Sequence, residues 1–290
     1  MIGIVILNYN SYEDSIALVA ALQQQTVVEQ LQIVVVDNAS PNDSYSQLKP
    51  LGDTYNNVTV LQTGDNLGYA KGNNYGLEFL QGHNPPEYVA ILNNDVVLPN
   101  DCFEQLIKSY QVLDSPAIIA PKQLDVENKE VLPYKLNSFL DDCLNLFFIF
   151  KIFHKRNALT YKDTTGLGAM KVDLIPGSFM FSSFKVFESL GFFYPNTFLF
   201  VEERFIAVKA KQKGLANYIL LNETYVHAHS KTINSVYSQV SKYRLLYTGW
   251  LEFTRECRSF GAFKAALLKP LMQLSLLEMR IVYALKSLLT

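Results

Sequence analysis

The chain has 290 residues, of which 49% are hydrophobic, and its formal net charge is -2. This hydrophobic fraction allows a large buried core, which excludes a disordered or fibrous protein. Because the chain has no overall basic charge, nucleic acid is a poor candidate for its partner. The composition favours a globular protein with one large domain, with or without an appended segment.

The charges are unevenly distributed along the chain. From Lys242 onward there are eight basic and three acidic residues, a local charge of +5, so the preceding part carries about -7. Cys102, Cys143 and Cys257 form neither a metal-binding spacing nor an even disulfide set, which favours a reducing cytoplasm. The N-terminal apolar run is too short for a signal peptide. No run reaches the roughly 18 apolar residues that a membrane span needs.

Short apolar runs alternate with helical patterns over residues 1–120. The runs predict strands buried on both faces, as in a parallel sheet: "IGIVIL", "LQIVVVD", "VTVLQ", "YVAILNND" and "AIIAP". Between them, apolar residues recur at intervals of three and four, which predicts helices in "YEDSIALVAALQQQ", "SYSQLKPL", "YAKGNNYGLEFLQ" and "DCFEQLIKSYQVL". The alternation predicts an α/β fold, with helices on both sides of a mostly parallel sheet.

The pattern becomes mixed beyond Pro121. A helical stretch, "FLDDCLNLFFIFKIFHK", precedes the strand-like "VDLIPGSFMFS" and an aromatic loop, "GFFYPNTFLFVEER". A helix in "FIAVKAKQKG" and the strand-like "NYILL" and "YVHAHSK" follow, and the rest of the chain predicts helices.

Polar side chains follow three of the predicted strands. They are Asn8, Tyr9 and Asn10 after the first strand, Asp37 to Ser40 after the second, and Asn93, Asn94 and Asp95 after the fourth. In open α/β sheets, ligands bind in the crevice outside the carboxyl ends of the strands. We therefore expect these three strand ends to face one ligand-binding crevice.

Two of these residues are carboxylates, and each has a structural alternative. Asp95 ends an apolar strand, where an acid needs a partner or a cation to offset its desolvation; alternatively it is an acid at a helix N-terminus. Asp37 suits the imide N–H of a uracil or thymine base, or ribose hydroxyls. Alternatively it forms a turn that begins the next loop.

The stretch "GDNLGYAKGNNYG" combines glycines and asparagines around a predicted helix start. Glycines allow a backbone to approach a ligand closely, and a helix N-terminus presents unpaired N–H groups to anions, so a diphosphate would fit. The spacing is not that of a P-loop. Ordinary turns are the alternative reading.

Adjacent acids and alternating histidines complete the candidate groups. Glu202 and Glu203 follow an aromatic run, where mutual repulsion and burial would raise a carboxyl pKa toward that of a general base. Alternatively one of them caps the following helix and the other is solvated. His227 and His229 alternate along an extended segment, so one could reach a metal while the other is structural.

Taken in order, these segments resemble the family 2 glycosyltransferases with the GT-A fold, particularly the bacterial rhamnosyltransferase-like branch. The resemblance runs from Ile2 to about Thr232 through "VILNYN", "VVVDNAS", "DNLGYAKGNNYGL", "AILNNDV", "IPGSFMFS", "GFFYPNTFLFVEE" and "YVHAHSKT". It implies a GT-A domain over residues 1–232, with a nucleotide-binding half (1–121) and an acceptor half (122–232). Residues 233–290 would form a C-terminal helical extension.

The resemblance also implies roles for individual residues. The donor's base and ribose would contact Asn8, Tyr9, Asn10 and Asp37, and its diphosphate and sugar would contact Asn66, Gly68, Lys71 and Asn74. Asn93, Asn94 and Asp95 occupy the family's DXD motif, in which Asp95, with His227, would hold Mg²⁺ or Mn²⁺. Glu203 takes the position of the family's general base, and Glu202 precedes it. The implied activity is inverting transfer of a sugar, from dTDP-rhamnose or a UDP-hexose, to a hydroxyl of a lipid-linked bacterial surface polysaccharide.

The sequence departs from the family pattern at three places. Asn93 and Asn94 leave Asp95 as the one carboxylate of its motif, Glu203 is one methylene longer than the usual aspartate, and Phe205 replaces a frequent further acid. These departures leave an alternative open, namely an inactive nucleotide-sugar-binding partner subunit or a membrane scaffold.

The final predicted helix carries an apolar seam. Its members are Leu267, Leu271, Leu274, Ile281, Leu285 and Leu288, at alternating spacings of four and three, with Glu278 interrupting the seam between Leu274 and Ile281. This spacing suits packing in a homodimer as readily as a lipid interface. With the local basic charge, it predicts a cytoplasmic protein that is peripheral on the inner face of the membrane.

Overall fold

The computed structural model describes residues 1–147, 150, 159–228 and 239–289. One nine-stranded sheet has the order β3-β2-β1-β4-β8-β6-β9-β5, with β7 paired to β9. The strands are β1 (Ile2–Asn8), β2 (Leu31–Asp37), β3 (Val58–Gln62), β4 (Tyr88–Asn93), β5 (Val96–Val97), β6 (Pro116–Leu124), β7 (Ala169–Val172), β8 (Phe179–Ser183) and β9 (Ala216–His227).

The described residues form ten α-helices. They are α1 (Tyr12–Leu22), α2 (Ser44–Leu48), α3 (Leu51–Thr54), α4 (Gly68–His83), α5 (Cys102–Val112), α6 (Phe139–Leu144), α7 (Phe184–Ser189), α8 (Glu202–Gln212), α9 (Gln239–Cys257) and α10 (Gly261–Leu289).

The predicted α/β fold is confirmed, but four of the eight strand pairings in the described sheet are antiparallel, so the sheet is less parallel than the sequence predicted. Strands β1 to β4 pair in parallel, as their continuous apolar runs predicted, since both of their faces are covered. In the second half β8 runs antiparallel to β4 and β6, whereas β9 is parallel to β6.

Two segments of the second half differ from the expected strands. The single strand-like run "VDLIPGSFMFS" is divided between β7 and β8, and residues 173–178 between them contain Pro176, which has no N–H to donate to a sheet. The separate runs "NYILL" and "YVHAHSK" belong to one continuous strand, β9, as far as His227.

Apolar clusters cover both faces of the sheet. One face packs against α1 and α5 through Leu18, Leu22 and Phe103, and the other packs against α4 through Leu77 and Leu80. The register aligns Asn8 with Asp37, and Leu7 with Asn93, so the ends of β1, β2 and β4 meet at one edge. This arrangement confirms that the three polar strand ends lie together.

A third cluster joins the C-terminal helices to the rest of the protein. Trp250 and Phe253 of α9, and Leu268 and Met272 of α10, pack with Phe205 of α8. The predicted boundary after residue 232 and His229 lie outside the described residues, as does most of the predicted helical stretch after residue 147. Among the described helices, none has the length and apolar character needed to span a bilayer.

Candidate active site

A cleft of about 360 Å³ opens between the end of β4 and the start of α8. Asn93, Glu202, Glu203 and His227 line it, together with Tyr69. The remaining lining comes from segments 131–134 and 174–178, and from Gln123, Leu199 and Phe200. The cleft thus brings the predicted carboxylate pair to the same cavity as the predicted metal-binding histidine.

Glu202 and Glu203 lie in the first turn of α8, directly after two residues in left-handed conformation. Glu202 is only 4% exposed, and its Oε1 has no hydrogen-bond partner among the described residues. Burial, reinforced by the neighbouring charge of Glu203, raises the pKa of Glu202 to about 8. Burial also raises the pKa of Glu203, which the Arg204 guanidinium partly offsets.

Glu203 is the more accessible of the two acids. Its side chain is partly exposed, whereas that of Glu202 is buried. At neutral pH, a pKa near 8 keeps Glu202 largely protonated, so it would add little negative charge beside Glu203. The pair therefore offers one accessible acid to the cleft, together with one buried acid whose pKa is raised to about 8.

Asp95 and His227 lie side by side, and His227 lines the same cleft as these acids. His227 Nε2 is 3.1 Å from Asp95 Oδ1 and 3.3 Å from Asn93 Nδ2, while Gln123 Nε2 lies 3.2 Å from the other ring nitrogen, Nδ1. Strand β5 pairs with β9 and aligns Val96 with His227, which holds the two segments together. The Gln123 amide thus fixes the orientation of the imidazole ring from β6.

Asp95 and His227 fit a divalent cation that is shared with a ligand. They supply one carboxylate and one imidazole at adjacent positions, and Mg²⁺ and Mn²⁺ accept such donors together with phosphate oxygens. In the described part of the chain, no cluster of three or more histidine, cysteine or acidic residues forms a metal site. Any cation here would therefore need additional ligands from a bound diphosphate or water.

Asp95 also lines a second, smaller cavity of about 160 Å³, next to Asp14 and Asn94. Asp95 therefore lies between this cavity and the main cleft, to which His227 connects it.

The strand-end residues form a buried polar cluster around Asp37. Asp37 has no exposed surface, and its carboxylate accepts hydrogen bonds from Asn8 Nδ2 at 2.8 Å, Ser40 Oγ at 2.6 Å and Gln62 Nε2 at 3.3 Å. Asn8 Oδ1 in turn accepts from Ser15 Oγ at 2.9 Å. The structure therefore brings Asn8 and Asp37 together, with their polar atoms engaged within the chain.

Two other residues of the same edge differ in how well they are bonded. Asn94 Nδ2 reaches Ser11 Oγ at 2.8 Å and Ser15 Oγ at 2.9 Å, so it joins the end of β4 to the start of α1. Asn10 has a left-handed backbone, and its buried Oδ1 has no partner among the described residues. Asn10 therefore leaves an acceptor that a ligand hydroxyl or N–H could satisfy. Tyr9 beside it is partly exposed.

The glycine-rich segment packs against the aromatic loop before α8. A Cβ at Gly68, where φ is +76°, would lie 2.2 Å from the Phe198 carbonyl oxygen. The Asn74 side chain donates to Phe193 O at 2.9 Å and accepts from Phe193 N at 3.1 Å. These contacts explain Gly68 and Asn74 without a ligand, while Lys71 is exposed. Their assignment to a donor site stays a prediction.

Sequence reasoning missed two residues that connect these parts. Asn38 accepts a hydrogen bond from Leu67 N at 3.0 Å and donates to Asn66 Oδ1 at 3.0 Å, linking the end of β2 to the glycine-rich segment. Gln123 orients His227 from β6, and nothing in the local pattern around Gln123 marked it. Asn38 lies within "VVVDNAS", and its position next to Asp37 was the one sequence signal that could have indicated its role.

A curled α/β sheet with this cleft at the strand ends defines the class of protein as a GT-A glycosyltransferase. Residues 3–190 match the sequence profile of glycosyl transferase family 2, so the chain belongs to that family. The chain is also similar to a curated relative, the low-salt glycan biosynthesis hexosyltransferase Agl10 of Haloferax volcanii. The two are 26% identical over 214 residues, which is 74% of this chain and 62% of the relative. The chain thus spans about three fifths of that relative's length.

Solved structures share the fold at low sequence identity. GalNAc-T7 with UDP, GalNAc and Mn²⁺ has a TM-score of 0.62 at 15% identity, over 79% of this chain and 44% of that one. The mannosyltransferase PcManGT from Pyrobaculum calidifontis, in complex with GDP-Man and Mn²⁺, has a TM-score of 0.59 at 14% identity, over 98% and 75%. S. aureus TarS 1–349 with UDP-GlcNAc gives 0.55 at 15% identity, over 91% and 69%.

Proposed function

We propose that this family 2 glycosyltransferase moves a sugar from a nucleotide-diphosphate donor to an acceptor hydroxyl, with inversion at the anomeric carbon. The observation that carries this proposal is the shared cleft, which both Glu203 and His227 line, with Asp95 in contact with His227. An acid on one side and cation ligands on the other are the two groups that this reaction requires.

In the proposed reaction, Glu203 acts as the general base. A sugar hydroxyl is a weak nucleophile, so a carboxylate that accepts its proton during attack accelerates transfer by roughly a hundred- to ten-thousandfold. Glu203 suits this role because it lines the cleft and burial raises its pKa. Glu202 suits it less, since it is buried at 4% exposure and has a pKa of about 8.

Asp95 and His227 would hold Mg²⁺ or Mn²⁺ together with the donor diphosphate. When bound, the cation would stabilise the negative charge that develops on the departing nucleoside diphosphate. Mn²⁺ is present in the related GalNAc-T7 and PcManGT complexes, which supports this assignment. The donors in the related complexes include UDP-GlcNAc and GDP-Man, and we propose a UDP-hexose or dTDP-rhamnose for this chain.

The donor's base and ribose are proposed to bind at the strand-end cluster. The unpartnered Oδ1 of Asn10 supports this position, and Tyr9 beside it is partly exposed and offers a ring for stacking. The hydrogen bonds among Asn8, Asp37 and Ser40 would keep that surface rigid before the donor binds.

We further propose that the acceptor is a lipid-linked glycan and that the enzyme works at an anionic membrane surface. The outer face of α10 exposes large apolar side chains, with exposed fractions of 46–66%: Phe263, Leu267, Leu274, Leu277 and Ile281. A groove of about 550 Å³ between α9 and α10 is lined by Arg244, Lys269 and Arg280, and by no acidic residue. An apolar strip next to cations suits an anionic lipid surface better than a second copy of the same basic face.

A donor screen tests the catalytic proposal. The melting temperature is measured with UDP-, GDP- and dTDP-sugars in the presence of Mn²⁺, and hydrolysis of the stabilising donor is then followed. We expect Glu203→Gln to keep the donor-induced shift and to lose at least a hundredfold in turnover. A stabilising donor that the wild type never hydrolyses or transfers would instead indicate an inactive nucleotide-sugar-binding subunit.

Vesicle sedimentation tests the membrane proposal. Wild type should pellet with phosphatidylglycerol vesicles and stay soluble with neutral phosphatidylcholine vesicles. Leu274→Glu with Leu277→Glu should abolish pelleting, because both side chains are exposed and their loss leaves the α10 core intact. Equal pelleting of this variant would show that the exposed strip of α10 is not the membrane contact. A dimer in solution that the two substitutions dissociate would overturn the membrane proposal in favour of a homodimer.

A further inference from the structure

The backbone directly before the carboxylate pair is strained. Phe200 and Val201 have φ angles of +72° and +77°, in the left-handed region that branched side chains rarely occupy. Such a conformation costs free energy and persists only where the surroundings enforce it. Val201 is the residue before the first turn of α8, so its conformation sets the direction in which the side chains of Glu202 and Glu203 project from the helix.

A glycine in the C-terminal helix α9 lies against this strained pair. A Cβ at Gly249 would be 2.9 Å from Val201 Cγ2 and 3.3 Å from the Phe200 carbonyl oxygen. Glycine is disfavoured within a helix relative to alanine, so its presence in the middle of α9 needs a local reason. Close packing on Phe200 and Val201 supplies that reason.

The first turn of α8 is also attached to α9 by charge. Arg204 Nη1 lies 2.9 Å from Asp142 Oδ1, and its guanidinium lies 5.0 Å from the ring centroid of Trp250. Asp142, which is 2% exposed, is shared with Arg258 at the end of α9. Because Arg204 directly follows Glu203, these contacts constrain the same turn that carries the proposed base.

The loop is held from the opposite side by α4. Tyr69 N donates to Phe198 O at 2.6 Å, and Gly68 leaves room for that carbonyl. Segments 68–69 and 249–250 therefore enclose the loop from two directions, with Val201 between α9 and the cleft.

We propose that α9 positions the carboxylate of Glu203, so that the C-terminal helices complete the catalytic site and do not merely extend it. Gly249 and Arg204 are positioning residues in this proposal: they touch neither donor nor acceptor, and they act through Phe200, Val201 and the first turn of α8. The proposal rests on the proposed role of Glu203 as general base.

Gly249→Ala tests the proposal, with Thr248→Ala as the matched control on the exposed side of the same helix. An added Cβ at position 249 should displace Val201 and lower the turnover of donor hydrolysis by about 10- to 100-fold, because small displacements of a reacting group have effects of this size. The donor-induced shift in melting temperature should be unchanged. Thr248→Ala should stay within twofold of wild type in both measurements.

A second variant keeps the result interpretable. Val201→Gly removes the side chain that the new methyl group would meet and accepts the left-handed backbone without strain. The double variant Val201→Gly/Gly249→Ala should therefore recover most of the turnover lost in Gly249→Ala. If Gly249 only serves helix packing, Gly249→Ala changes the melting temperature and leaves turnover within twofold of wild type, and the proposal is wrong.

Amide hydrogen exchange separates this inference from the proposed function. Residues 202–206 should exchange faster in Gly249→Ala than in wild type, whether or not the protein turns over a donor. Unchanged exchange in an active enzyme overturns the positioning role and leaves the catalytic proposal standing. If residues 202–206 exchange faster in Gly249→Ala but the wild type has no transferase activity, α9 still holds the first turn of α8, and the catalytic proposal is wrong.

Discussion

The strand-end cluster and the carboxylate pair are both buried, but they differ in how their acids are bonded. Asp37 is fully buried and accepts hydrogen bonds from Asn8, Ser40 and Gln62. Glu202 is nearly as buried, yet its Oε1 has no partner in the described residues, and its pKa rises to about 8. This difference agrees with the proposed roles, a rigid donor-binding surface at the strand ends and acids for proton transfer at the start of α8.

The origins of the two regions differ as well. The strand-end cluster comes from the ends of adjacent parallel strands, which the register aligns directly. The carboxylate pair depends on a strained loop held between α4 and α9, which lie far apart in sequence. Substitutions in the strand-end cluster should therefore affect donor binding. Substitutions around the carboxylate pair should instead affect the pKa or the position of its two acids.

The largest effect on ligand binding should come from the two proposed cation ligands. Asp95→Asn or His227→Asn should weaken Mn²⁺ binding in the presence of UDP or GDP by at least about 10- to 100-fold, the range seen when even outer-shell partners of metal ligands are removed. Titration calorimetry measures this affinity. Asp53→Asn, on exposed α3, is the matched control and should bind Mn²⁺ as wild type does. Wild-type affinity in both cleft variants would remove Asp95 and His227 from the metal site.

The buried acid should give the next largest effect, on stability against pH. Because burial raises the folded-state pKa of Glu202 to about 8, above its ordinary value of 4.5, the folded protein holds a proton that the unfolded chain releases between these values. The stability that protonated Glu202 contributes is fully present below pH 4.5 and is lost as the pH rises toward 8. Over this interval the free energy of unfolding should fall by up to about 1.4 kcal/mol per pH unit.

Urea unfolding at pH 5 and pH 8 checks this expectation. Glu202→Gln should lose less stability than wild type over this interval, since glutamine does not ionise. Glu78→Gln, at an exposed position of α4, is the control and should lose as much stability as wild type between pH 5 and pH 8. If Glu202→Gln and wild type lose stability in parallel, Glu202 is not the buried acid that sets this pH dependence.

The smallest expected effect distinguishes a structural asparagine from a donor ligand. Asn74→Ala removes two hydrogen bonds to the Phe193 backbone and should lower the free energy of unfolding by about 1–3 kcal/mol. Donor affinity should remain within threefold of wild type, and the exposed Asn56→Ala control should change neither quantity. A large loss of donor affinity at unchanged stability would support the sequence-based assignment of Asn74 to the donor site instead.

Much of the first half could be predicted from the sequence because its signals are local. Apolar runs with no alternation predicted strands covered on both faces, and their polar last residues predicted a shared edge. The second half was less predictable. Strands β7 and β8 were read as one run, and the antiparallel pairing of β8 with β4 depends on contacts between residues about 90 positions apart.

The site shows the same division. Asp95, His227 and Glu203 were identified from their motifs, yet the contact between His227 and Asp95 required β5 to pair with β9. Asn38 and Gln123 were missed because their roles arise from hydrogen bonds to distant segments. The glycine at position 68 was read as a ligand contact, whereas the approach of Phe198 explains it sterically.

The sequence by itself determined the fold class, the edge of the sheet where polar residues collect, and the candidate side chains for the proposed chemistry. These features follow from residue type and periodicity, which act over a few positions along the chain. Only the tertiary structure decided that α9 packs on the loop before Glu202, because Gly249 and Val201 meet through packing of helices distant in sequence. Burial and electrostatic environment, and with them the pKa of each acid, are set by those long-range contacts.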